Sequence, residues 1–274
     1  MTSTVPQFHA ERVKTHKKAA LIGVLLWPIA ASFLSFLFNA GVLLSTALFF
    51  GVPALYLSYR CKKHIAKAAL FSLLVTVPVA TIVDYIMEHT RGWRLPSSVF
   101  GSFRLFGYVT IEQYIWLFLY VYLVVMFYEA FLESPHRAGD RRHPRLKWLF
   151  IALAAPLGVF LAVLAVNHSL LAIDYFYLKF GVLMIAAPVI FLVFRLPALL
   201  GRILKAGAYF FFLSLIYEVT ALALRQWEFP AENQFIGMIS VFGMRFPFEE
   251  FFFWILLGAV AALAYYEFFD DDRQ

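Results

Sequence analysis

Cysteine is almost missing from this chain of 274 residues. The one present, Cys61, lies beside Arg60, Lys62 and Lys63, so an internal disulfide framework and a cysteine-based metal site are excluded. Charge is scarce as well: 15% of residues are charged and 62% hydrophobic, with a mean hydropathy of +0.78. A soluble domain has roughly 25% and 45–50%, so a soluble enzyme is excluded. Nucleotide-binding glycine patterns are lacking, which removes support for bound nucleotide or flavin. His9, His16, His64, His89, His136, His143 and His168 fall near termini or loops without an HxxxH or HExxH cluster, so no metal is expected. The single aspartate run, Asp270-Asp271-Asp272, reads as a solvated tail, not as paired magnesium-diphosphate loops. No lysine sits in the middle of the last two apolar runs, so a retinal Schiff base has no anchor.

What the chain does have is apolar runs of about 20 residues, the length that crosses a hydrocarbon core of roughly 30 Å. Eight are legible, at 19–38, 41–59, 66–88, 110–132, 148–167, 175–195, 204–224 and 247–268. They are continuous, not alternating, which excludes a strand barrel and predicts an all-α integral membrane protein of about eight transmembrane helices. The first follows an eighteen-residue polar and basic segment and precedes no small-residue cleavage site, so it reads as a retained span. With the N-terminus inside, only Arg91, Arg94, Arg104, Lys179, Arg225 and Arg245 of the 23 basic residues fall outside. The positive-inside rule then puts both termini in the cytoplasm, across the cytoplasmic membrane. The net charge of +6 reflects this flanking pattern, and no nucleic-acid partner is expected.

The runs repeat. Pro53 and Arg60 close the second run with the spacing of Pro188 and Arg195 in the sixth, an offset of 135. Asp84, Arg91 and Trp93 close the third as Glu218, Arg225 and Trp227 close the seventh, an offset of 134. Thr110-Ile111-Glu112-Gln113 opens the fourth and Pro247-Phe248-Glu249-Glu250 the eighth, while Tyr128-Glu129 and Tyr266-Glu267 close them. In order, these matches predict an internal duplication, with repeats at 1–134 and 135–274 joined by a charged linker at Glu133–Lys147. Four spans per unit is even, so the copies are parallel repeats.

Carboxyl groups in or beside hydrocarbon are costly, so each is a functional candidate. The segment Phe246-Pro247-Phe248-Glu249-Glu250, followed by Phe251-Phe252-Phe253-Trp254, has two readings. Proline and acids suit a helix start. Alternatively, a carboxyl among aromatics keeps a proton to give as a general acid, while ring faces stabilise a cation and exclude water. Asp84 and Glu218 read either as partners of Arg91 and Arg225 or as a second acid/base position. Glu129 and Glu267 read as interfacial, with Tyr128, Tyr265 and Tyr266 as belt residues. Glu249 and Glu267 are eighteen residues apart, roughly 27 Å along a helix, and cannot serve one atom.

Two parallel units, each with an acidic motif of the form P-x-E-(E/D) followed by aromatics and a later Tyr-Glu, resemble the non-flavin lycopene cyclase family. Pro247-Phe248-Glu249-Glu250 fits that motif in full, and Glu112 occupies its first glutamate in the other copy. Thr110 stands where the family pattern has proline and Gln113 where it has the second acid. The resemblance implies a carotenoid end-group cyclase acting on lycopene within the bilayer, without redox change or cofactor. It implies Glu249 or Glu250 as general acid, with Glu112, Asp84 and Glu218 relaying or removing protons. Pro247, Phe248, Phe251, Trp254 and Tyr114 are then expected against the substrate. A carotenoid hydratase or a long-chain carotenoid cyclase would begin with the same protonation. A small parallel-repeat transporter and a non-catalytic assembly protein are the readings from other classes.

Overall fold

The computed structural model describes residues 5–133 and 146–269. Residues 134–145 of the expected linker and the Asp270–Asp272 tail lie outside the described residues. Seven helices are long and apolar enough to cross a membrane: α1 (Val5–Leu37, apolar from Lys18), α2 (Val42–Arg60), α3 (Lys62–His89), α4 (Ile111–Leu132), α5 (Lys147–Leu171), α6 (Phe176–Arg195) and α7 (Pro197–Ala223). An eighth, α8, is a bent pair, Glu250–Leu256 and Gly258–Glu267, turned by 49°. The chain is therefore a helical membrane-embedded protein. α7 starts seven residues earlier than the hydropathy reading put it, at Pro197, a residue suited to a first helical turn.

One element was not legible in the apolar runs. Before α8 the chain forms an antiparallel hairpin, β1 (Met238–Val241) and β2 (Met244–Pro247). Its turn, Phe242-Gly243, has φ of 49° and 82°, the left-handed pair that a two-residue hairpin turn requires. Pro247 thus ends a strand instead of opening the helix. It pairs with Met238 at the end of the ladder, where a residue without an N–H is tolerated.

Two widened, π-type turns sit at matching places, Ala47–Gly51 in α2 and Gly181–Ala186 in α6. Each is followed by proline, Pro53 and Pro188. A proline ring inside a helix collides with the carbonyl four residues back, here Phe49 and Met184. Both carbonyls lie in the widened turn, which moves them aside without ending the helix.

α4 lies at the centre: 56% of its most apolar window is buried, against 17% for α5 and 22% for α6. Leu123, Val124, Val125 and Met126 are fully enclosed in the principal core. The halves interlock, since α1 packs on α7 and α5 packs on α3. Beyond the helix ends, Arg94 and Glu228 exchange both backbone hydrogen bonds at 2.9 and 3.0 Å, joining the α3–α4 and α7–α8 connections.

Gly181 opens the widened turn of α6 against the ring of Phe253 in α8. A Cβ there would stand 2.2 Å from Phe253 Cδ2, and that ring is 4% exposed with little room to retreat. Gly181→Ala is expected to cost about 1–3 kcal/mol by overpacking. The check is the thermal midpoint in detergent, which Phe253→Leu added to Gly181→Ala should partly restore.

Candidate active site

A chamber of about 180 Å³ lies within the bundle, walled by residues of both halves. Asp84 of α3, Gln113 of α4 and Glu250 of α8 line one end, with Trp93 and Trp227 from the loops. One or two turns further along the same helices come Trp116, Tyr120 and Trp254. Leu149 and Leu153 of α5, Met184 of α6 and Tyr265 of α8 line the remainder. Glu250 and Tyr265 are fifteen residues apart, so the lined stretch runs roughly 20 Å along α8, shortened by its bend. Among the described residues no lysine, arginine or histidine lines the chamber. A cavity of about 150 Å³ lined by apolar side chains holds benzene, so this one suits a six-membered hydrocarbon ring.

The three indole and phenol rings form a compact group. Trp116 and Trp254 have centroids 4.5 Å apart, and Tyr120 and Trp254 4.2 Å. Trp116 follows Gln113 by three residues and Trp254 follows Glu250 by four. That spacing sets each ring one turn below its polar residue on the same helix face.

At the polar end each carboxyl has different surroundings. The Tyr177 hydroxyl donates to Glu250 Oε2 at 2.7 Å. Trp227 Nε1 donates to Glu218 Oε1 at 3.1 Å, and Glu218 lies within electrostatic reach of Glu250. Glu88 accepts from the Leu95 N–H at 3.1 Å and stands 3.7 Å from Arg104. Asp84 is within electrostatic reach of Glu88 and Glu250. It has the Gln113 amide beside it, but Gln113 Nε2 closes no hydrogen bond. Trp93 Nε1 has no hydrogen-bond partner among the described residues either. Aspartate is one methylene shorter than glutamate, and Trp93 has no counterpart of the bond that Trp227 gives Glu218.

Gln113 is held by its other end. Thr110 N and Thr110 Oγ1 both donate to Gln113 Oε1, at 2.8 and 3.1 Å, closing a capping box at the start of α4. The backbone N–H can only donate, so the oxygen of Gln113 faces Thr110 and its NH2 faces away.

The expected arginine pairing is corrected. Neither Asp84 nor Glu218 forms an ion pair among the described residues; Arg91 and Arg225 instead take left-handed turns, φ 60° and 53°, just after α3 and α7. Both carboxyls turn inward, 6% and 2% exposed.

Glu112 and Glu249, expected among the acid/base groups, do not line the chamber. Glu112 Oε1 accepts from Val99 N at 2.7 Å and its Oε2 from Ser98 Oγ at 3.0 Å. Glu249 Oε1 accepts from Ile236 N at 2.7 Å. In each case the partner N–H lies thirteen residues upstream, in the loop before the helix. These are loop anchors. Of the residues expected against substrate, Trp254 lines the chamber and the other four do not. Pro247 is buried in β2, and Phe248 is exposed and stacked on Phe252. Phe251 meets Phe211 edge-on, and Tyr114 shares a 2.7 Å hydrogen bond with Thr81. The residues not foreseen are Trp93, Gln113, Trp116, Tyr120, Tyr177 and Trp227.

The far end holds a second polar group. Tyr128 donates to Glu267 and Tyr266 donates to Glu129, two crossed bonds joining α4 to α8. His64 and Lys67 lie 3.2 and 3.6 Å from Glu129. Tyr128 and Tyr266 are buried, so they tie helices together and are not the belt residues expected. Among the described residues no group of three or more His, Cys, Asp or Glu is arranged to hold a metal.

Glu112→Ala and Glu249→Ala each leave a loop N–H without its carboxylate. Each is expected to cost about 1.5–3 kcal/mol, the worth of a hydrogen bond to a charged group. A lowered thermal midpoint and faster proteolysis in the adjoining loop would register it; unchanged values in both variants would remove their role as anchors. Comparison with protein-family models, with curated proteins and with solved structures finds no match.

Proposed function

We propose that this protein is a carotenoid end-group cyclase of the non-flavin lycopene cyclase type, acting on lycopene drawn from the bilayer by proton transfer alone. The observation that carries the reading is the meeting of carboxyl groups from both halves at one end of an apolar, aromatic-walled chamber. Like charges so close in a low-dielectric site cannot all be ionised, so the cluster retains exchangeable protons.

The chemistry follows from the wall. A proton delivered to the terminal double bond leaves a tertiary carbocation. A neighbouring double bond closes onto it, and loss of an adjacent proton restores neutrality. The faces of Trp116, Tyr120 and Trp254 lie where positive charge passes, and a desolvated cation over such a face is stabilised by about 2 kcal/mol or more. An apolar wall keeps out the water that would capture the cation, which favours ring formation over hydration. The same wall suits a hydrated ion poorly, which disfavours the transporter.

On this proposal the chain is an internal duplication. Arg94 and Glu228 occupy equivalent positions and pair with each other; Trp116 and Trp254 do the same, and the Tyr128–Glu267 and Tyr266–Glu129 bonds cross between copies. Equivalent residues that meet at three levels of the bundle support a two-fold axis running along it, between parallel repeats at 1–134 and 135–274. The protein then sits in the cytoplasmic membrane with both termini inside, and the carboxyl cluster lies toward the outer face.

The test is expression in a bacterial host that accumulates lycopene, beside an Asp84→Asn, Glu250→Gln double variant, with chromatography of the pigments. Ringed product from the wild type alone is expected. Unchanged lycopene with wild-type protein in the membrane would sink the reading. Trp254→Leu should lower conversion roughly thirtyfold at equal protein level, as the loss of about 2 kcal/mol of cation stabilisation requires.

A further inference from the structure

The carboxyls around the chamber are not equivalent, and their hydrogen bonds divide the labour between them. Resting on the cyclase reading, we propose that Asp84 gives the proton that starts the cyclisation and Glu250 takes up the proton that ends it.

A donor aimed at a carboxylate favours its charged form, and a buried carboxyl without donors keeps its proton. Around the cluster, Glu250 has the Tyr177 hydroxyl, Glu218 has Trp227 Nε1, and Glu88 has a backbone N–H with Arg104 nearby. Asp84, which lines the chamber, has beside it only the Gln113 amide, and among the described residues that amide closes no hydrogen bond with it. Gln113 beside it has its oxygen committed to Thr110 and offers no site to which Asp84 could pass a proton. Glu218 does not line the chamber, so among the described residues Asp84 and Glu250 are the two carboxyls in contact with its space.

The step balances. The O–H bond of Asp84 breaks as the terminal alkene uses its electron pair to form a C–H bond. The next alkene closes the ring and carries the positive charge into it. The C–H bond beside that charge breaks, its pair becomes the ring double bond, and the proton goes to the Glu250 carboxylate. Transfer of that proton back from Glu250 to Asp84, which is within electrostatic reach of it, resets the site with no oxidant, reductant or outside base. Asp84 comes from α3 and Glu250 from α8, so one turnover uses both halves of the chain.

The experiment compares wild type, Asp84→Asn, Asp84→Glu and Glu250→Gln in the lycopene-accumulating host, at matched protein level in the membrane. Asp84→Asn is expected to leave lycopene unreacted, with conversion down at least a hundredfold, the usual contribution of a general acid. Asp84→Glu should retain activity. Glu250→Gln should still consume lycopene but release displaced double-bond isomers or a water-captured alcohol, because the cation forms and is badly deprotonated. Rings formed by Asp84→Asn, or untouched lycopene with Glu250→Gln, would overturn the assignment. A second readout does not need turnover: infrared difference spectra of the purified protein in lipid, which report the carbonyl stretch of protonated carboxyls. That band should weaken in Asp84→Asn and persist in Glu250→Gln; the reverse overturns the assignment. An inert wild type with the expected spectra would retire the cyclase reading while leaving the proton on Asp84.

Discussion

Carboxyl groups held close together beside an apolar chamber, the nearest cation being Arg104 at Glu88 on the cluster's margin, are the constraint from which the rest of the molecule follows. Asp84 and Glu250 face a chamber that no lysine, arginine or histidine among the described residues lines, and Glu218 is within electrostatic reach of Glu250. Burial of this kind is expensive unless protons or hydrogen bonds compensate it. The surrounding structure supplies single donors, Tyr177 to one carboxyl and Trp227 to another, and leaves Asp84 with neither. A stabilising design would have placed an arginine here. Its absence keeps the protons available, which is the property that the proposed chemistry needs.

Holding such a cluster in place falls to groups that take no part in it. Glu112 and Glu249 fasten the loops that precede α4 and α8, each through an N–H thirteen residues upstream. The backbone exchange between Arg94 and Glu228 joins those loops to one another above the chamber. At the other end the crossed tyrosine–glutamate bonds lock α4 to α8. The two long helices that carry Gln113, Trp116, Glu250 and Trp254 are thus pinned at both ends, and their aromatic faces meet between the pins.

Span number and approximate ends were legible in hydropathy, because a bilayer core demands about 20 apolar residues and leaves little freedom. The acidic candidates were legible as a class, since carboxyls are rare in such segments. Their division was not. Glu249 and Glu250 are adjacent, yet a helix turns 100° between neighbours, so one faces the chamber and the other a loop; which is which depends on the helix phase. Gln113 was readable as a departure from an acidic motif, but its bond to Thr110 depends on the start of α4. Tyr177 carried no signal, since it reaches Glu250 across 73 positions of chain. The β-hairpin was hidden because its four-residue strands are too short to show alternation.

One further feature ties the helix phase to the site. From Glu112 to Glu129 is seventeen residues and from Glu249 to Glu267 eighteen, so α8 carries one residue more than α4. A widened turn is how a helix absorbs a single extra residue without breaking, and α8 has one at Glu250–Leu256, where α4 is regular. In the proposed repeat, equivalent positions differ by 137 up to the first residue of that turn, as Gln113 and Glu250 do, and by 138 from within it onward, as Trp116 and Trp254 and then Glu129 and Glu267 do. The insertion rotates the aromatic part of α8 relative to its carboxyl while keeping Trp254 against Trp116. Two halves of similar pattern therefore present unlike groups at the chamber's polar end, an aspartate with an amide on one side and a pair of glutamates on the other. A perfectly symmetric site would offer a proton equally from both sides. The proposed chemistry, which gives a proton at one atom and removes it at another, requires a direction, and these differences in residue and helix phase would supply one.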